Sequence, residues 1–139
     1  IDFYNIPIRE INDIKSGADF TTHEGEIISN ERLTTPADPQ RIYAYCSDTA
    51  YDESIVHYIK GVDVLYHEAT FAESELARVI KTGHSTARQA AEIAKQAEVK
   101  KLVIGHFSSR YTNLIPLLEE AQTVFPNTEL AKEGKVIEL

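Results

Sequence analysis

The chain has 139 residues, a formal net charge of −8 and 42% hydrophobic residues, which suits a single domain spanning residues 1–139 with one modest core. Its 14 Lys and Arg are scattered along the sequence, so charge alone argues against a nucleic-acid-binding surface. No apolar run approaches the roughly 18 residues that a membrane span requires. The amino terminus also lacks a signal core, so we expect a soluble, cytoplasmic protein without a membrane partner. Cys46 is the only cysteine, which excludes an intrachain disulfide and a cysteine-rich zinc site.

The first 40 residues predict short elements. Isoleucines at helical spacing, with Pro7 in the first turn and Gly17 at the end, indicate a short helix. A hairpin is predicted to turn at Glu24–Gly25, between residues 20–22 and 26–28. Residues 34–39 contain two prolines and no apolar pattern, which is typical of a loop.

From residue 41 onward, apolar strands alternate with helices. The pattern predicts strands at 42–46, 62–66 and 101–104. Helices are predicted at 52–60, closed by Gly61, at 74–81 before Gly83, from a cap at Ser85 or Thr86 to about Ala97, and from about 113 to 124, ended by Pro126. A terminal hairpin is predicted to turn at Glu133–Gly134. Such alternation indicates an α/β fold with a sheet covered by helices.

Polar side chains follow the three central predicted strands. Asp48 comes after the first strand, His67 and Glu68 after the second, and His106 after the third, while His84 precedes a helix. Reactive residues of α/β sheets tend to lie past the carboxyl ends of strands. If the strands are neighbours, Asp48, His67 and His106 should gather at one edge, with His84 on a nearby loop. Carboxylate and imidazole groups in convergence are the ligands that zinc or manganese requires.

Each of these residues also has a structural interpretation. Asp48 could cap a turn, because Ser-Asp-Thr suits tight turns. His67 could be a buried histidine with satisfied hydrogen bonds, Glu68 a solvated carboxylate, and His84 the residue ahead of a helix N-cap. Spacing alone therefore supports only a candidate metal site.

Four sequence blocks at these positions resemble the C-terminal motifs of the ribonuclease Z family, in the same order. The blocks are residues 44–51, 67–71, 83–87 and 105–111. The family belongs to the metallo-β-lactamase superfamily, whose αββα fold packs two β-sheets face to face between outer helices. The resemblance implies that this chain is the C-terminal half of such a sandwich, one β-sheet with covering helices. One apolar sheet face would then be exposed, so we expect the isolated chain to self-associate.

The resemblance also implies residue roles. Asp48 matches an aspartate that bridges two zinc ions, and His106 matches the last histidine ligand of one of them. His84 matches a histidine proposed to act near the scissile phosphate, as a proton donor or stabiliser. His67 and Glu68 would orient neighbouring residues of the active site. The family's earlier histidine-rich motif is absent from this sequence, so most metal ligands are missing.

A possible RNA-backbone contact lies in the last block. Arg110, together with Ser108 and Ser109, could hold phosphates through charged and hydroxyl hydrogen bonds. The alternative is that Arg110 makes a structural ion pair.

The implied activity is the removal of the 3′ trailer from precursor tRNA by a full-length endonuclease with two zinc ions per active site, or manganese or magnesium in their place. Implied partners are precursor tRNA, the missing N-terminal half and the second subunit of a homodimer. The chain lacks a start methionine, from which we expect a preceding segment. Because most metal ligands are missing, we expect the isolated fragment to be inactive. Two alternatives stay open. They are another metallo-β-lactamase-fold phosphodiesterase or arylsulfatase-like hydrolase, and a non-catalytic association domain.

Overall fold

A computed structural model describes residues 4–137 of the chain. The chain divides into two compact units, Ile1–Pro39 and Gln40–Leu139. Within residues 4–137, none of the helices has the length and apolar character needed to cross a membrane. The single-domain expectation for residues 1–139 stays a prediction.

The first unit is small and contains the predicted helix and hairpin. Its elements are a 3₁₀ turn at Ile8–Glu10, α1 (Ile11–Lys15), β1 (Phe20–Thr21), β2 (Ile27–Ile28) and α2 (Asn30–Leu33). Strands β1 and β2 pair antiparallel, and Gly25 adopts a φ of +86° in the turn between them. Ile14, Phe20 and Ile28 form the buried core of this unit.

The second unit is built on a four-stranded parallel sheet. Its elements are β3 (Tyr43–Cys46), β4 (Val64–Glu68), α3 (Leu76–Thr82), α4 (Ala87–Gln96), β5 (Lys101–Gly105), α5 (Ile115–Gln122) and β6 (Thr128–Leu130), with 3₁₀ turns at Glu53–Ile55 and Glu73–Glu75. The strand order is β3-β4-β5-β6, and every neighbouring pair is parallel. The predicted α/β class is therefore confirmed, and all four strands end at the same edge of the sheet.

Helices pack on one face of this sheet. The buried alanines of α4 have small side chains, which lets the helix approach the strands closely, and it contacts Leu65, Leu102 and Ile104 in the main core. On the opposite face, Tyr43 and Tyr45 are 48% and 63% exposed, and the Tyr45 ring stacks on Tyr66 at 4.6 Å between centroids. One face of the sheet is thus covered and the other is partly open.

The second predicted strand is displaced along the sequence. It occupies Val64–Glu68 rather than 62–66, because its register with β5 runs from Val64 opposite Lys101 to Glu68 opposite Gly105. The expectation that His67 and Glu68 follow the strand is therefore wrong, since they are its last two residues. Val62 is buried, which explains its apolar character, but it precedes the strand.

The helix predicted at 52–60 is also wrong. Only one 3₁₀ turn forms, at Glu53–Ile55, where the Asp52 carboxylate accepts a hydrogen bond from the Ser54 amide at 2.8 Å. The residues that follow, Val56, His57, Tyr58 and Ile59, are β-branched or aromatic and lose side-chain freedom in a helix. The apolar spacing of these residues therefore led to a helix prediction that their low helix propensity contradicts.

The predicted terminal hairpin is not present within the described residues. Strand β6 pairs parallel with β5, and Gly134, with a φ of +74°, lies in a turn that no strand follows up to residue 137. Residues 138 and 139 of that prediction lie outside the described part of the chain.

Helix α4 begins at a capping box. Thr86 Oγ1 accepts a hydrogen bond from the Gln89 amide at 3.0 Å, and Gln89 Oε1 accepts one from the Thr86 amide at 3.0 Å. The Thr86 hydroxyl also donates to Glu73 at 2.7 Å. Of the two predicted caps, Thr86 is the one used.

We predict that Thr86→Ala lowers the free energy of unfolding by about 1–2 kcal/mol, because the helix loses its N-cap acceptor. The measurement is chemical denaturation followed by circular dichroism. Thr86→Ser retains the hydroxyl and is the matched control, which should recover most of the loss. Equal destabilisation by both substitutions would contradict the assigned cap.

Candidate metal centre

Asp48 and His106 both lie just beyond the carboxyl ends of strands, at the same edge of the sheet. Asp48 lies two residues beyond β3, and His106 directly follows β5. Both have left-handed backbones, with φ of +50° and +58°, which are uncommon for residues with a side chain. Such conformations concentrate at functional sites, where the surrounding structure holds them in place.

Asp48, His84 and His106 form a compact group of candidate ligands. One potential ligand atom from each lies within 4.8 Å of the others. His106 Nε2 is 3.3 Å from Asp48 Oδ1, and the rings of His84 and His106 are 5.4 Å apart between centroids. Two ligands at about 2.0–2.1 Å from a tetrahedral zinc ion would themselves be about 3.3 Å apart. The nitrogen and carboxylate donors present therefore fit a zinc ion.

Glu68 lies beneath this group and is fully buried. Its Oε1 accepts hydrogen bonds from the Thr49 amide at 2.7 Å and from His84 Nδ1 at 3.0 Å. Its Oε2 accepts from the Thr70 hydroxyl at 2.5 Å and from the Ser85 amide at 3.2 Å. Burial acts to raise the pKa of Glu68, but these hydrogen bonds outweigh it and hold the pKa below its usual value. Glu68 is therefore ionised near neutral pH.

The contact with Glu68 sets the orientation of His84. Because the carboxylate accepts from Nδ1, this nitrogen carries a proton and Nε2 is the other, outward nitrogen. His84 is half-buried, and its ring meets Phe71 edge-on at 6.2 Å between centroids. His84 is thus held with one nitrogen anchored and the other available to a ligand.

His67 is not a member of the cluster. It pairs with Cys46 and Ile104 in the sheet and is fully buried. Its Nδ1 lies 2.8 Å from the carbonyl oxygen of Glu68, whereas Nε2 has no hydrogen-bond partner among residues 4–137. Burial lowers the pKa of His67, which favours the neutral ring. The expectation that His67 would join Asp48 and His106 is therefore wrong, and His84 takes that place.

The Arg110 guanidinium is engaged by protein groups. It donates to Glu75 at 3.2 Å and to Ser108 Oγ at 3.1 Å, and it lies 5.1 Å from the Phe71 ring centroid. Ser109 is exposed beside it. These contacts match the structural ion pair that was the alternative for Arg110.

Sequence reasoning missed Thr70 and Ser85, which complete the hydrogen bonding around the site. Thr70 bonds both Glu68 and His106, and the Ser85 hydroxyl donates to the Thr49 carbonyl at 2.7 Å. The available signal was that both are small polar residues inside the blocks that contain Glu68 and His84. The need for glycine at position 105 was also missed. A Cβ there would lie 2.8 Å from two ring carbons of Tyr66, so the close approach of this ring leaves no room for a side chain.

Buried His67 should make stability depend on pH. Its folded pKa is lowered, so its contribution is fully present above the unfolded pKa of about 6.5 and is lost as pH falls towards the folded pKa. We expect the stability difference between the unsubstituted protein and His67→Gln to decrease from pH 8 to pH 5.5, measured by urea unfolding. His23→Gln, at an exposed histidine, is the control, and a difference independent of pH would contradict a buried neutral His67.

Known proteins resemble this chain in sequence and fold. Residues 13–107 match the Beta-lactamase superfamily domain. Ribonuclease Z of Bacteroides fragilis is 60% identical over 139 residues, which are 100% of this chain and 46% of that protein. Ribonuclease Z of Parabacteroides distasonis is 60% identical over 96% of this chain and 44% of that protein.

Among solved structures, the metallo-β-lactamase fold protein YhfI from Bacillus subtilis superposes with a TM-score of 0.66 at 28% identity, over 70% of this chain and 40% of that one. The chain spans somewhat less than half the length of the curated relatives quoted. The expected superfamily fold and the resemblance to ribonuclease Z are confirmed. The chain belongs to the beta-lactamase superfamily, and within it corresponds to a part of ribonuclease Z.

Proposed function

We propose that this chain forms one side of the active site of a zinc-dependent endoribonuclease that removes the 3′ trailer from precursor tRNA. The observation that carries the proposal is the convergence of Asp48, His84 and His106 at the sheet edge, in a chain whose relatives are ribonucleases Z. Under this proposal, the substrate of the full-length protein is precursor tRNA and the protein acts in the cytoplasm. The partner subunit of a homodimer would contribute to tRNA binding.

Asp48 and His106 are the proposed metal ligands. Asp48 is exposed, and its Oδ1 lies 3.3 Å from His106 Nε2. Bound zinc, two ions per complete site, or manganese or magnesium in its place, would supply an activated water and neutralise phosphoryl charge. Residues 4–137 contain this one cluster of three candidate ligands, so we infer that the remaining ligands of a two-zinc site lie outside residues 4–137. The isolated chain is therefore proposed to be inactive.

His84 is the proposed proton donor to the leaving oxygen. Its Nδ1 is anchored on Glu68, which leaves Nε2 to carry the transferred proton. The hydrogen bond to Glu68 positions the ring before substrate arrives. His67, one residue before Glu68 in β4, is fully buried and contacts the Glu68 carbonyl oxygen through Nδ1, and we propose that it helps to orient Glu68.

Ser108, Ser109 and Arg110 are the proposed contacts to the RNA backbone. Arg110 is paired with Glu75, so binding a phosphate requires it to exchange that partner for the RNA. The net charge of −8 shows that this chain alone offers little attraction for RNA. Most of the tRNA affinity must therefore arise in the rest of the protein.

The first test is zinc content and cleavage of precursor tRNA, measured on this chain alone and after mixing with the remaining segment of the protein. The mixture is expected to hold about two zinc ions per active site and to release the trailer, because only then are all ligands present. The lone chain should do neither. Stoichiometric zinc in the lone chain would overturn the assignment of Asp48 and His106 as part of a divided ligand set.

Substitutions in the intact protein separate the proposed roles. Asp48→Ala and His106→Ala should lower zinc content, whereas His84→Ala should retain zinc and reduce kcat by about 10²–10⁴-fold, the usual effect of removing a proton donor. His57→Ala, at an exposed residue outside the site, is the matched control. An intact protein that hydrolyses small phosphodiesters but never precursor tRNA would favour the alternative hydrolase.

A further inference from the structure

We propose that Thr70 is a positioning residue that fixes the tautomer of His106, so that His106 Nε2 presents a lone pair to a metal ion. The inference rests on the proposed metal role of His106. It extends the site by one residue that makes no contact with metal or RNA and acts through the imidazole.

The Thr70 hydroxyl has three neighbours and one hydrogen. Oγ1 lies 2.5 Å from Glu68 Oε2, 2.9 Å from the His106 carbonyl oxygen and 3.0 Å from His106 Nδ1. The residue is 6% exposed, so water has little access to compete for these bonds. The single hydrogen must therefore be assigned among protein groups.

The Glu68 carboxylate is the strongest of the acceptors. It is charged and buried, and an O–H···O⁻ separation of 2.5 Å falls in the short range of charge-assisted hydrogen bonds. The carbonyl of His106 is neutral and farther away. The hydroxyl hydrogen therefore goes to Glu68, and the lone pairs of Oγ1 remain for His106.

This assignment determines the protonation of the His106 ring. An oxygen that has donated its hydrogen can only accept from Nδ1, so Nδ1 must carry a proton for the 3.0 Å contact to be a hydrogen bond. In a neutral imidazole the other nitrogen, Nε2, is then unprotonated. Nε2 is the atom that lies near Asp48.

One carboxylate thus orients both histidines of the cluster. Glu68 Oε1 accepts directly from His84, and Oε2 reaches His106 through Thr70. Carboxylate groups behind metal-binding histidines are known to fix tautomer and raise ligand basicity. Here a threonine hydroxyl links the carboxylate to the second histidine.

The inference can be tested on the intact protein that carries this chain, labelled with ¹⁵N-histidine. In the metal-free protein at pH 8.5, above the ordinary histidine pKa, ¹⁵N shifts should show His106 protonated at Nδ1. This first readout uses the unsubstituted protein. A His106 ring protonated at Nε2 would therefore overturn the inference without any variant.

The substitutions are Thr70→Val, which removes the hydroxyl but preserves the shape, and Thr70→Ser, which preserves the hydroxyl. We expect T70V to shift His106 towards the Nε2-protonated form. We also expect it to weaken zinc binding about 10–100-fold in a chelator competition, which is the usual effect of removing a residue that hydrogen-bonds a metal ligand. T70S should keep the Nδ1 proton and bind zinc within a few-fold of the unsubstituted protein. Thr128→Val, at a buried threonine that bonds the Phe125 carbonyl, is the matched control for stability loss.

Two outcomes overturn the role of Thr70. One is a T70V protein with unchanged tautomer and zinc affinity, and the other is equal loss of zinc affinity in T70S, T70V and T128V. Failure of the proposed function is distinguishable, because neither readout uses RNA. If the tautomer and zinc affinity respond as expected but precursor tRNA is never cleaved, the nuclease proposal fails and the role of Thr70 stands.

Discussion

The buried carboxylate of Glu68 is the interaction on which the candidate site depends. An ionised carboxylate inside a protein is stable only when hydrogen-bond donors replace the water it has lost. Glu68 receives them from Thr49 after β3, Thr70 after β4, and the loop of His84 and Ser85 before α4. Three separate segments are thus tied to one charge, and a displacement of any of them would leave that charge short of a donor.

The parallel sheet provides the second constraint. Because β3, β4 and β5 run in the same direction, the segments that leave them emerge at one edge and can meet around Glu68. Left-handed backbones at Asp48 and His106 then turn the chain sharply at the places where the candidate ligands lie. The hydrogen bonds to Glu68 and to Thr70 oppose relaxation of these turns. The geometry is therefore set by the fold before any metal or substrate is present.

The approximate positions of the strands and of the site were predictable from the sequence, but the strand order and the direction of individual side chains were not. The apolar runs located β3, β4 and β5, and the polar residues near their ends located the edge. A two-residue displacement of β4 makes His67 part of the strand rather than of the loop that follows it, and within the strand its side chain is fully buried. The sequence narrowed the N-cap of α4 only to Ser85 or Thr86, since either side chain can cap a helix. In the structure the Ser85 hydroxyl bonds the distant Thr49 carbonyl, a contact that the sequence spacing does not encode, and Thr86 caps the helix by accepting from the Gln89 amide.

The role of Thr70 was not evident from the sequence because it depends on a contact between distant parts of the chain. A threonine two residues after a buried glutamate has no distinguishing pattern until β5 brings His106 beside it, 36 residues along the chain. This contact depends on both constraints. The sheet determines the distance between Thr70 and His106, and the Glu68 carboxylate determines which group accepts the hydrogen of the Thr70 hydroxyl.

The charges around the site bear on how a phosphate could bind there. Asp48 is exposed and anionic, and the nearby cation Arg110 is already paired with Glu75. Under the proposed function, a phosphodiester would therefore meet an edge that is neutral or negative until a metal ion is held by Asp48 and His106. Metal binding and substrate binding at this edge are then linked by charge. Under the proposed function, this linkage is how a strongly acidic chain could form part of an enzyme that acts on RNA.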